Sequence, residues 1–216
     1  CYAMLSEFPT AQDISKANIV RLTNLLSAHS KGKYGREKAE QIRELVRNSI
    51  GYDSGAIGFE LRQTIRLIQN LQGEIDLLDT EIKRIMDDVQ SPVLSIPGIG
   101  YVLGAILVSE IGSIENFSNP AKLLAFAGLD PSIYQSGQYN ASSTPMVKRG
   151  STYLRWGLMQ GARLVAYRDE TFSTYFEKKL SEGKHYYVAL THVAKKLVRV
   201  LFHLLKTNQN FAPQFG

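Results

Sequence analysis

Residues 58–89 read GFELRQTIRLIQNLQGEIDLLDTEIKRIMDDV, and their spacing decides the fold class. Leu61, Thr64, Ile68, Leu71, Ile75, Leu78, Ile82, Ile85 and Val89 recur at alternating intervals of three and four residues, apolar everywhere but Thr64. That is a heptad seam, and it predicts one helix over about 58–90. At 1.5 Å per residue such a helix is ~50 Å long. Its stripe cannot be buried against itself, so it requires a partner helix, from the preceding segment or from another chain.

Helical spacing continues on both sides. Ile14, Ala17, Leu22, Leu25 and Leu26 form an apolar run after Pro9-Thr10, and Thr10 and Asp13 suit a capped start. Lys31-Gly32-Lys33-Tyr34-Gly35 breaks the run. A second helix follows from about Arg36 to Asn48, Gly51 ends it, and Asp53-Ser54-Gly55 is a turn signal. Beyond the seam, Pro92 is a stop. Apolar residues from Tyr101 to about Ile111 predict a helix closed by Gly112. Asn119-Pro120 is a cap followed by a first-turn proline. Ser151/Thr152 opens a helix to about Arg168, a short one covers about Phe172–Leu180, and the last runs from about Lys184 to Thr207. Residues 129–150 carry no period and several turn signals; an excursion of ~20 residues inside a domain is uncommon and often functional. No series of strands is evident. The prediction is an all-α chain with three parts: helical pairs in residues 1–57, a long coiled-coil arm over 58–90, and a compact helical domain over 91–216.

Charge separates these parts. The net charge is +5, with a balance of −1 over residues 1–90, −1 over 91–129 and +7 over 130–216. A basic excess confined to one end suits a polyanion such as DNA or RNA, although a merely solvated surface fits composition equally well. No apolar run reaches the ~20 residues of a membrane span, and no signal peptide is present. The expected compartment is the cytoplasm, with no membrane partner. The single cysteine, Cys1, excludes an internal disulfide and a cysteine-based zinc site. Asp87 and Asp88 point apart on a helix, and Glu110, Glu115 and Asp130 show no convergence, so no metal site is expected.

Three stretches could meet a nucleic acid. Ser95-Ile96-Pro97-Gly98-Ile99-Gly100 between helices reads as a helix-hairpin-helix, in which Gly98 and Gly100 let backbone amides approach a phosphate. The same pattern also serves packing alone, and both readings stand. The 130–150 excursion holds several hydroxyls and ends in Lys148-Arg149-Gly150, with Arg155 one turn into the next helix; these cations and the helix start would form an anion site. An ordinary polar loop is the competing reading. On the last helix His192, Lys195, Lys196, Arg199, His203 and Lys206 share one face, opposite Val193, Leu197, Leu201 and Leu204, as a DNA-facing stripe or a solvated one.

Taken in order, Leu94-Ser95-Ile96-Pro97-Gly98-Ile99-Gly100, Ser109-Glu110-Ile111-Gly112, Phe117-Ser118, Leu124-Ala125-Phe126-Ala127-Gly128-Leu129-Asp130-Pro131, Tyr134-Gln135-Ser136-Gly137 and Met146 through Arg155 resemble the C-terminal domain of the IS-one-ten group of insertion-sequence transposases. The resemblance implies DNA transposition or recombination, with Ser136 as the nucleophile that attacks a phosphodiester. The residues read above, Gly98, Gly100, Lys148, Arg149, Arg155, Lys195, Lys196 and Arg199, stand beside it as the candidate nucleic-acid contacts. The resemblance further implies an N-terminal acidic (DEDD) domain that binds Mg²⁺, dimers or tetramers assembled through the coiled-coil arm, a bacterial source and, in some members, a structured guide RNA. The chain begins at Cys1, after that acidic domain, so the expectation is a fragment inactive alone and carrying no cofactor of its own. A non-enzymatic helix-hairpin-helix DNA-binding module and a structural coiled-coil oligomer are the alternatives.

Overall fold

The computed structural model describes residues 2–49, 54–130 and 146–213, together with the backbone pairing of Gln135–Ser136 and Tyr139–Asn140. The described chain is all-α apart from that pairing. It divides into two compact units, Cys1–Leu77 and Leu78–Gly216, with the boundary inside the longest helix.

The first unit contains α1 (Tyr2–Glu7), α2 (Ala11–Lys16), α3 (Ile19–His29) and α4 (Arg36–Arg47). Its small core is Ile14, Leu22 and Ala39, edged by Met4, Phe8, Leu26, Ile42 and Val46. Thr10 caps α2 through a reciprocal box: its hydroxyl accepts from the Asp13 amide, and the Asp13 carboxylate accepts from the Thr10 amide. The apolar run expected as one helix is two. Asn18 is the reason, because its side chain accepts from the amides of Val20 and Arg21 and opens α3 as a fresh helix. The break after α3 falls at Lys31 and Gly32, both at positive φ. Gly51 and Asp53 of the expected break lie outside the described residues, and Gly55, expected in the turn, is instead the first residue of the next helix.

Helix α5 runs from Gly55 to Val89 without interruption, 35 residues long. Ile65 and Met86 are buried on it, but the seam is not: Leu71 is 54 %, Ile75 49 % and Leu78 62 % exposed. A stripe of this regularity left open to water costs free energy that folding of the described chain does not recover.

The second unit holds the main core. A 3₁₀ turn at Pro92–Ser95 leads to α6 (Tyr101–Ile111), α7 (Pro120–Phe126), α8 (Thr152–Arg168), α9 (Glu170–Ser181) and α10 (Tyr186–Thr207). The caps sit where the side chains demand: Asn119 accepts from the Lys122 amide, Ser151 from the Leu154 amide and Asp169 from the Phe172 amide. Gly112, at φ 61°, closes α6. Helix α10 is central; Val193, Ala194, Leu197, Leu201 and Leu204 are buried against Leu154, Leu158, Ala162 and Val165 of α8 and against Phe172 of α9. Each such valine, leucine or phenylalanine side chain contributes about 1.5–3 kcal/mol by leaving water. The segment after α10 folds back, where the Phe211 amide donates to the Ser95 hydroxyl (2.7 Å) and the Phe211 ring stacks near Phe172.

Candidate nucleic-acid interface

Between α7 and α8 the chain leaves the helical core at Gly128 and returns at Gly150. The two ends of this excursion are tied together by backbone bonds. Val147 donates to the Asp130 carbonyl (2.9 Å), Lys148 to Gly128 (3.2 Å) and Ser151 to Phe126 (2.9 Å). The strands touch so closely that both glycines are obligatory. Gly128 (φ 65°) and Gly150 (φ 108°) adopt backbone that other residues avoid, and a Cβ would strike the Arg149 carbonyl in the first case and the Phe126 carbonyl in the second. Lys148 itself sits at φ 54°.

Two side chains reinforce this neck. The Arg155 guanidinium, from the first turn of α8, donates to the carbonyls of Ala127 (3.3 Å) and Lys148 (3.2 Å), one on each strand. Its second terminal nitrogen lies 3.4 Å from the Thr152 hydroxyl. Ser151 caps α8 and donates its hydroxyl proton to Glu110 at the end of α6 (2.5 Å), fastening the return point to a third element. Arg155, expected on a phosphate, is therefore spent largely on the chain's own carbonyls. Lys148 and Arg149 are exposed on the rim of the neck, immediately before the α8 N-terminus. Inside the excursion Gln135–Ser136 pairs antiparallel with Tyr139–Asn140, with Ser136 opposite Tyr139. The Ser136 side chain lies outside the described residues, as do Ser132, Ser142, Ser143 and Thr144.

The other candidates are dispersed over the second unit. Gly98 has φ 93°, and a Cβ there would lie 3.2 Å from the Leu164 backbone of α8, so this glycine seats the turn on the core. Gly100 precedes α6 in open space. The next residue, Tyr101, donates its hydroxyl to Asp87 (2.8 Å), and this bond raises its pKa by favouring the protonated phenol. On α10, Lys195 is half-buried and Arg199 exposed. Lys196 instead lies over the rings of Tyr175 (5.0 Å) and Phe172 (5.5 Å). Burial lowers its pKa, opposed by the nearby Asp169. Burial likewise lowers that of His192, helped by the Lys179 charge. Lys206 pairs with Glu115.

One feature of the surface went unread in the sequence. Tyr153, Trp156 and Tyr167 stand exposed on the solvent side of α8 beside Arg163. Their helical spacing is present in the sequence, but ring type and spacing alone do not separate an exposed face from one that packs inward. Among the described residues no three His, Cys, Asp or Glu side chains converge as a metal-binding group. No helix among them is long and apolar enough to cross a membrane.

Comparison with known proteins adds a family. Residues 90–177 match the model of the Transposase IS116/IS110/IS902 family. A 44.8 kDa protein of insertion element IS116 from Streptomyces clavuligerus is 26% identical over 219 residues, spanning 97% of this chain and 53% of that protein. A 43.6 kDa protein of insertion element IS110 from Streptomyces coelicolor is 30% identical over 118 residues, 54% of this chain and 29% of that protein. The transposase for insertion sequence element IS1111A from Coxiella burnetii is 37% identical over 73 residues, 34% of this chain and 20% of its own length. The chain thus spans about half, or less, of the length of these relatives.

Proposed function

The chain belongs to the insertion-sequence transposases of the IS116/IS110/IS902 family, and from that premise we propose that it is the serine-bearing, DNA-handling region of a longer recombinase. In this reading the Ser136 hydroxyl oxygen attacks a DNA phosphorus. A phosphoserine bond forms, one P–O ester bond breaks, and the released strand leaves with its hydroxyl. Reversal of the same exchange with a second strand end would rejoin the DNA.

The observation that carries the proposal is the neck. An excursion bearing Ser136 has both ends locked together by backbone bonds and by Arg155, with exposed Lys148 and Arg149 on its rim. Fixed cations placed where phosphoryl charge develops lower the barrier of such a transfer. Lys148 and Arg149 take that part, and Lys195 and Arg199 on α10 add affinity for the backbone of the same DNA. Arg155 acts through the neck rather than on the phosphate. Gly98 and Gly100 bring the turn before α6 close enough for a backbone phosphate.

The resemblance implies Mg²⁺ and an acidic set. The described carboxylates do not gather into one, so the metal would be held by a separate acidic domain. The seam of α5 would pair chains into dimers or tetramers, and a structured RNA encoded by the element would be a further partner. The test is recombination by the complete transposase on its element DNA, with that RNA where one exists. Ser136→Ala should reduce product on the order of 10³-fold or more while DNA affinity is kept. Recombination at the unmodified rate would end the assignment.

A further inference from the structure

We propose that the solvent face of α8 is a stacking platform for an unpaired DNA strand. The helix places Tyr153, Trp156, Gln160, Arg163 and Tyr167 at successive three- or four-residue steps along one side. The opposite side, with Leu154, Leu158, Ala162 and Val165, fills the core. Tyr153 is 73 %, Trp156 53 % and Tyr167 83 % exposed. From Tyr153 to Tyr167 the row is about 21 Å long at 1.5 Å per residue. It continues onto neighbouring helices: Arg163, Tyr167, Phe176 and Tyr186 line an open groove, and Tyr187 sets its ring edge-on to Tyr186.

Charge complementarity identifies the occupant as a polyanion. Helix α8 carries no Asp or Glu, Arg163 lines the groove, and the Arg168 guanidinium lies over the Tyr167 ring (5.7 Å). The carboxylate of Glu110 borders the Trp156 end, where it accepts from Ser151. Rings distinguish which polyanion. Phosphate contacts alone require cations, not aromatics, and bases paired inside a duplex present no free face. Unpaired bases do, and stacking them on rings contributes about 1–3 kcal/mol each. DNA rather than RNA follows from the reading of Ser136 as a strand-cleaving group, on which this clause rests, because a cut strand exposes bases.

The chain has one tryptophan, Trp156, so its emission reports on this face directly. The chain is titrated with oligo(dT) of about 15 nucleotides, with a duplex of equal length and with oligo(rU). Oligo(dT) should quench Trp156 saturably, more weakly as salt rises; the duplex should leave it nearly unchanged. Tyr153→Ala with Tyr167→Ala keeps Trp156 and should weaken oligo(dT) binding about a hundredfold, tenfold per ring, with unchanged helicity and melting. Four results would overturn the proposal: no quenching by oligo(dT), equal quenching by duplex, oligo(rU) bound tenfold more tightly, or an unaltered Kd in the double variant. Loss of self-association in that variant with the Kd intact would assign the rings to a protein contact, also against it. Ser136→Ala should quench normally, so failure of the nucleophile reading and failure of the platform are separable.

Discussion

A methyl group at position 150 has nowhere to go. Gly150 needs left-handed backbone, and the space a side chain would take is filled by the Phe126 carbonyl. Gly150→Ala should therefore cost about 2–4 kcal/mol, from strain and displaced backbone together. Gly100→Ala, with φ −88° and nothing near, should stay within about 1 kcal/mol. Urea unfolding of the two variants checks the contrast, and equal midpoints would refute the tight neck. At this scale the sequence was partly legible. Asn119 and Ser151 cap the helices their types suggested, because a cap acts on residues two or three positions away. The task of Arg155 was not legible. Its partners lie 28 and seven residues off, and only the folded neck brings them together.

Elements were legible where one periodic pattern had one outcome. The heptad spacing foretold a helix over about 58–90, and α5 spans Gly55–Val89. The run from Ile14 to Leu26 was misjudged as one helix, since its apolar spacing continues across the cap that Asn18 imposes. The excursion between α7 and α8 announced itself only as a lack of period, with no hint that its ends meet. That junction makes a prediction of its own. Arg155→Met keeps the bulk of the side chain in place and removes the donors to Ala127 and Lys148. Amide exchange at Val147 and Lys148 should speed up about tenfold, the equivalent of roughly 1.4 kcal/mol, which is the scale of a charge-assisted hydrogen bond. Amides in the middle of α8 should be unaffected. Unchanged exchange at the neck would show the guanidinium to be idle there.

For the whole molecule, the exposed α5 seam is the largest unsatisfied feature. Leu71 and Leu78 contribute little to either unit's core while open to water. Leu71→Asp with Leu78→Asp should leave helicity intact and shift the chain from an oligomer to a monomer in sedimentation velocity. An unmodified chain that stays monomeric at all accessible concentrations would sink the arm's pairing role. The basic excess of residues 130–216 was visible in composition, but its sorting was not. Lys196 turns onto aromatic rings and Lys206 onto Glu115, whereas Lys148, Arg149 and Arg199 face solvent. The closed neck has a last consequence, for how such a protein can change over time. With Asp130 and Val147 held at hydrogen-bond distance, the helices do not sense how much chain runs between them. Doubling the length of that insert costs only about 0.6 kcal/mol of closure entropy. The chain on either side of Ser136 can thus lengthen or shorten among descendants at little cost to the helices, while Gly128 and Gly150 stay fixed as its sockets.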